Sequence, residues 1–311
     1  MPTKRSGASF DRYWEAIQSN YYIRNVANGF RLMFRSNMTK VAFAIASSFI
    51  LLGIVGPWIA PYNYSKQFFS ESGNLQSYLP PMTEGHILGT TGAGQDVFSR
   101  LLVGARPTVL VGLGGGLLII SIGATIGISA GYLGGRIESL LMRFTDFVYA
   151  IPLIPFAIVI LVFVQTGIWT SILVLGLVLW RGNSRVLRSQ VLQIKERPYI
   201  KSAKATGAST RHIVLKHIVP NIASMIVLFF AIGIGTSILV HANLAFIGVA
   251  DPFVPVWGVI VRNAYNSGRM AYAWWWSMPP GFLIALTVLG TFLLGRGYEN
   301  ISNQSGLGEN Q

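Results

Sequence analysis

Long apolar runs separated by short polar stretches dominate the chain. Six of them, at 41–60, 108–132, 147–166, 168–184, 222–247 and 280–298, approach the roughly 20 residues that an α-helix needs to cross the hydrocarbon core of a bilayer. The pattern predicts an all-α polytopic membrane protein with six transmembrane helices. The third and fourth runs are parted only by a turn at Gly167, which predicts a hairpin. One interruption differs from the rest. Residues 199–221, YIKSAKATGASTRHIVLKHIVPN, are polar and basic and lie between two spans. Ala, Ser and Lys at 201–205 favour a short helix, and Gly207 stands where that helix would stop, because glycine takes the left-handed conformation without steric cost. A second helical run, 208–218, leads into Pro220 and the fifth span. Small residues at Ser202, Ala203, Ala205 and Gly207 would let the segment dock closely into a groove on another protein; a solvated loop is the plainer alternative.

Other features are less directive. Residues 10–36 alternate aromatics and arginines in helical phase and predict an interfacial amphipathic anchor. Gly123, Gly127, Gly131 and Gly135 recur every four residues, with Gly112 and Gly116 before them, as expected of a helix face approached closely by another backbone. In MRFTDFVYAIPLIP, Arg143 and Asp146 are three apart and are expected to form a structural ion pair, since an unpaired charge deep in lipid costs roughly 2.5–3.5 kcal/mol. Pro152 and Pro155 should bend that helix. His241 and Asn243 in the fifth span are candidates for a translocation pathway, and the WWW of AYAWWWSMPPG is expected to form an interfacial aromatic belt.

Composition agrees with the pattern. Hydrophobic residues make up 52% of the 311 and charged residues 11%, against roughly 25% charged in soluble domains. The net charge of +13 is unevenly spread. Nineteen of the 24 Lys and Arg lie in 1–40, 131–146, 181–217 and the tail after 295, all on one side of a six-helix topology; five lie in the alternate connections. By the positive-inside rule both termini are expected in the cytoplasm. The expected divisions are an amphipathic segment 1–40, a transmembrane domain 41–298 with an external connection 61–106 and the insert 199–217, and a tail 299–311. No cleavable signal peptide is evident. There is no cysteine, which excludes disulfides and thiolate chemistry. No His/Glu cluster has metal-ligand spacing, and the GxG pieces of HILGTTGAGQDVFSR complete no dinucleotide fingerprint. No G-x-x-x-x-G-K-[ST] phosphate loop is present, so the chain is not expected to hydrolyse ATP. Among rival classes, an ion-coupled secondary transporter would show inverted repeats or midplane acids, and an intramembrane enzyme would need a nucleophile beside a base; neither signature is found.

The insert resembles the coupling motif of the permease subunits of bacterial and archaeal ABC importers: a helix, a glycine, a second helix and an ending close to His-Ile-Leu-Pro-Asn, here His217-Ile218-Val219-Pro220-Asn221. HILGTTGAGQDVFSRLLVGAR (86–106), AGYLGGRIESLLMRFTDFVYAIP (130–152) and FRSNMTKVAF…IAPYNY are similar to the dipeptide, oligopeptide and nickel branch, in particular its dipeptide-permease-C-like subunit. The resemblance implies the type I ABC importer permease fold. It implies a pathway formed with a second permease subunit, two ATPase subunits that hold ATP and Mg2+, and an external substrate-binding protein delivering di- or oligopeptides, or alternatively an oligosaccharide or a nickel chelate. No cofactor is implied for this chain. ATPase coupling would fall on Lys201, Ser202, Ala203, Ala205, Gly207, Ala208, His217, Pro220 and Asn221. The family's motif usually opens Glu-Ala-Ala where this chain has Lys201-Ser202-Ala203, and related permeases often carry Glu where His241 stands.

Overall fold

The computed structural model describes residues 36–308, and side chains as far as Glu299. The segment expected to be an amphipathic anchor therefore lies almost wholly outside the described residues. Those residues are mostly helical, and a turn-rich connection between the first two helices carries a few isolated β-bridges. The helices are α1 Asn37–Ile59, α2 Val97–Leu133, α3 Gly135–Ala150, α4 Leu153–Val164, α5 Ile168–Leu179, α6 Arg181–Lys195, α7 Pro198–Ala205, α8 Thr210–Ile213, α9 Val219–Asn221, α10 Ala223–Ile247, α11 Trp257–Asn266 and α12 Trp274–Gly308. A π-helical turn, Val214–Ile218, joins α8 to α9.

Four helices, α1, α2, α10 and the 274–299 part of α12, are long and apolar enough to cross a membrane. The bent pair α3 and α4 makes a fifth candidate. The predicted third span, 147–166, is thus broken rather than merely bent: α4 leaves α3 at 83°, with Pro152 at the break. The predicted fourth span, 168–184, is the 12-residue α5, followed after Trp180 by the separate polar helix α6. α4 and α5 do fold back on each other across residues 165–167, packing Ala157 and Leu161 against Ile172 and Leu175.

The long helix α2 is the spine, touching α1, α5, α6 and α10. At 37 residues it is about 55 Å long, well beyond a hydrocarbon core of about 30 Å. It starts eleven residues before the predicted span. Asp96 caps it, its carboxylate accepting the Ser99 N–H at 2.7 Å, and the arginines at 100 and 106 that broke the apolar run lie inside the helix. At the far end α12 runs on to Gly308, where a tail from 299 was expected.

Glycine sets how close the neighbours of α2 come. A side-chain carbon at Gly116 would lie 2.8 Å from the backbone nitrogen of Ile234, and one at Gly112 would lie 2.7 Å from Ile238, so these two admit α10. At Gly127 it would fall 2.6 Å from the Ser184 carbonyl oxygen, and at Gly131 2.8 Å from Val191. The predicted ladder is therefore a seat for α6, as close backbone packing between membrane helices requires. Gly135 leaves the pattern: it is the first residue of α3, and a side chain there would have nothing nearby.

The tryptophan cluster is mostly core. Only Trp274 is exposed. Trp275 and Trp276 are buried beside Phe49, Val97 and Trp257, and the Trp275 indole donates to the Thr90 carbonyl at 3.3 Å. Two of the three rings expected in an interfacial belt are therefore packed inside the protein.

Candidate functional site

The polar insert folds as the pattern predicts. Pro198 opens α7 at its first turn, where a missing N–H is harmless. The helix ends in a Schellman turn: the Gly207 N–H reaches the Lys204 carbonyl at 3.1 Å, and the Ala208 N–H reaches the Ala203 carbonyl at 3.0 Å. Gly207 has φ +86, and a side chain there would meet open space. Glycine is thus required for backbone conformation and not for room. Ser209 then caps α8, its hydroxyl accepting the His212 N–H at 3.3 Å.

Pro220 explains the π-turn. Proline has no N–H to return to the carbonyl four residues back and its ring crowds that carbonyl. The chain widens ahead of it, and the Val219 N–H reaches Val214 O, five back. Asn221 turns its side-chain amide to the His217 carbonyl at 2.6 Å. The His217 ring lies 5.7 Å from that of His212 and 6.3 Å from that of Tyr199.

The segment has two faces. Inward, Ile200, Ile213, Ile218 and Ile222 are buried with Leu187, Val191 and Ile194 of α6. Each such side chain contributes about 1.5–3 kcal/mol when fully buried, so the insert is keyed to α6 by an apolar keel. Outward, Ser202, Ala205, Gly207 and Asn221 are exposed, while Ala203, Ala208, His217 and Pro220 are half-buried between the faces. Lys201, which replaces the family's usual acid, pairs within the chain with Glu196 at 2.8 Å, both side chains well exposed. The hydrogen bond from Lys201, with its charge, holds the Glu196 carboxyl below the usual carboxylate range.

The remaining candidates do not assemble into this site. His241 is buried in α10, while Asn243 is exposed two residues on, on another face of the helix. Asp146 pairs with Arg185 of α6 and not with Arg143, because α6 packs along α3 and offers its guanidinium from the side; Arg143 is exposed. Sequence reasoning missed two polar groups. His86 and Asp96 meet at 2.7 Å, each about 1% exposed, between the rings of Tyr62 and Phe68. Arg181 lies at the α3–α4 break, and its Nη1 donates to the carbonyls of Val148 and Ile151. No group of three or more potential metal-binding side chains occurs among the described residues.

Four helices long and apolar enough to cross a membrane, with a bent pair as a fifth candidate, define a multi-pass membrane protein. The chain belongs to the family of binding-protein-dependent transport system inner membrane components, whose model matches residues 123–303. The N-terminal transmembrane domain of oligopeptide transport permease C matches residues 28–81. The chain is 33% identical to the dipeptide transport system permease protein DppC of Bacillus subtilis, covering 85% of this chain and 82% of that protein. It is 30% identical to the oligopeptide transport system permease protein OppC of Haemophilus influenzae, over 86% and 84%. It is 34% identical to the glutathione transport system permease protein GsiD of Escherichia coli O157:H7, over 85% of each.

Proposed function

We propose that the chain is one of two permease subunits of an ATP-driven importer and passes small peptides from an external binding protein to the cytoplasm. The relatives named for dipeptide, oligopeptide and glutathione transport support that cargo class. Counting the bent pair as one span and α5 with the start of α6 as another gives six crossings in the type I importer arrangement. The one-sided distribution of Lys and Arg supports cytoplasmic termini. Catalysis is left to partner ATPases, which hold ATP and Mg2+.

The observation that carries this reading is the lever. Residues 198–218 have a small, exposed outer face and an apolar inner face locked to α6, which in turn sits on the glycines of α2. A displacement applied to α7 by an ATPase would therefore travel into α6 and α2 rather than dissipate in a loop. His241 and Asn243 are weaker candidates for contact with cargo, since they face different ways.

Reconstitution of the chain with its partner permease, ATPases and binding protein in liposomes tests the proposal. Accumulation of labelled di- and tripeptides should require both ATP and the binding protein. Accumulation driven by a proton or sodium gradient with no ATPase present would instead make the chain a secondary transporter.

A further inference from the structure

The break between α3 and α4 is held by a side chain from α6, the helix against which the lever packs. In a continuous helix the carbonyl of residue i takes the N–H of residue i+4. Val148 would look to residue 152 and Ile151 to residue 155, and both are proline. The two prolines thus leave these two carbonyls without their i+4 donors, and the Val148 oxygen takes the Ile151 N–H at 3.2 Å in a tighter turn instead. Arg181 Nη1 supplies both, at 2.7 Å to Val148 and 3.0 Å to Ile151, and lies 3.4 Å from the Tyr149 carbonyl. Its guanidinium lies 4.8 Å from the centre of the Tyr149 ring, and that of Arg185 lies 4.2 Å from it. Below the break the two helices are fastened along their length. Trp180 stacks on Phe144 with ring centres 5.9 Å apart, Arg185 pairs with Asp146, and the Arg188 Nε donates to Glu138 at 2.7 Å.

We propose that Arg181 is the positioning residue through which movement of the lever sets the angle of the broken span. It sits at the first position of α6, the helix that carries the apolar keel of α7, and it holds both carbonyls freed at the break. When α6 shifts, α3 follows through its side-chain fastenings. The Arg181 head then carries the carbonyl end of α3, and the start of α4 swings about Pro152. Proline alone would leave a hinge free to take many angles; the guanidinium ties that hinge to the lever. The inference rests on the reading of α7 as the surface gripped by an ATPase.

The test uses the reconstituted complex. Spin labels are placed through Phe147→Cys and Val159→Cys, two exposed positions on either side of the break. In the otherwise unaltered chain the label distance should change when ATP binds. Arg181→Gln should leave subunit assembly and binding-protein-stimulated ATP hydrolysis in place, broaden the distance distribution in both nucleotide states and lower uptake about tenfold, within the roughly 5–150-fold range of couplings between sites. Arg181→Lys, which keeps a cationic donor, should restore part of both. Should Arg181→Gln fail to assemble, Arg181→Lys alone must show a broadened distribution and reduced uptake. Wild-type distances and uptake in the Gln variant, or in the Lys variant where only that one assembles, would overturn the proposal. A label distance that ignores ATP in the unaltered complex, with no ATP-driven uptake, would instead sink the functional reading beneath it.

Discussion

The two polar regions of the molecule are fastened in opposite ways. The connection 60–96 is gripped from inside by polar groups: His86 and Asp96 meet in a buried pair, Asp96 also caps α2, and Tyr62 and Phe68 enclose the imidazole. The lever at 198–218 is gripped from inside by isoleucines, with its polar and small groups turned outward. A buried polar pair fixes direction, because its geometry tolerates little displacement before a partner is lost. An apolar keel fixes the body of the segment yet leaves its outer chemistry free for another protein. The first region is built as a cap, and the second is proposed to serve as a handle.

The largest expected effect lies in the cap. Asp96→Ala removes the α2 N-cap and strands the buried His86 ring, and should destabilise the fold by about 2–4 kcal/mol, read as a lower melting temperature in detergent. If stability is unchanged, the polar fastening is not what holds that region. Next comes the seat of the keel. Gly127→Val places carbon atoms against the Ser184 backbone and should cost about 1–3 kcal/mol as overpacking does. Uptake should fall with it, since α6 is pushed off α2.

The handle should behave differently. Gly207→Val adds roughly 1–2 kcal/mol of left-handed strain without any clash, so assembly should survive while ATP hydrolysis and uptake come apart. Gly207→Asn, which accepts that conformation more readily, should be milder. Smallest of all is Glu196→Gln. The Glu196–Lys201 pair is exposed, and exposed pairs contribute little. Because the folded carboxyl is held below its ordinary range, any contribution is complete at neutral pH and disappears only as the pH falls through that lowered value. Uptake by this variant should match the parent across neutral pH.

Much of the handle was legible in the sequence because its signals are local. Glycine at a helix stop, proline at a helix start and a serine cap each act within four residues, and Gly207, Pro198 and Ser209 do what their chemistry requires. The long apolar helices were legible for the same reason. What failed needed tertiary neighbours. Arg143 and Asp146 have ion-pair spacing, yet Arg185 from 39 positions away takes the carboxylate. Trp275 and Trp276 resemble a membrane belt until the connection 60–96 folds over them and Thr90 accepts an indole N–H. α2 was predicted to start late because Arg100 and Arg106 interrupt the hydropathy, although Asp96 with Ser99 three residues on is a readable cap. The prolines foretold a bend, but not that an arginine from α6 would occupy the carbonyls they free.

An ATPase subunit is proposed to hold the outer face of α7. The chain has no cysteine, so Ser202→Cys gives it a single thiol that can carry a photoreactive label in the assembled complex. On illumination the label should join the chain to an ATPase subunit, with a yield that changes between the nucleotide-free and ATP-bound states. A thiol at 202 that reacts freely with water-soluble maleimide in every nucleotide state, and never cross-links to an ATPase, would contradict the account.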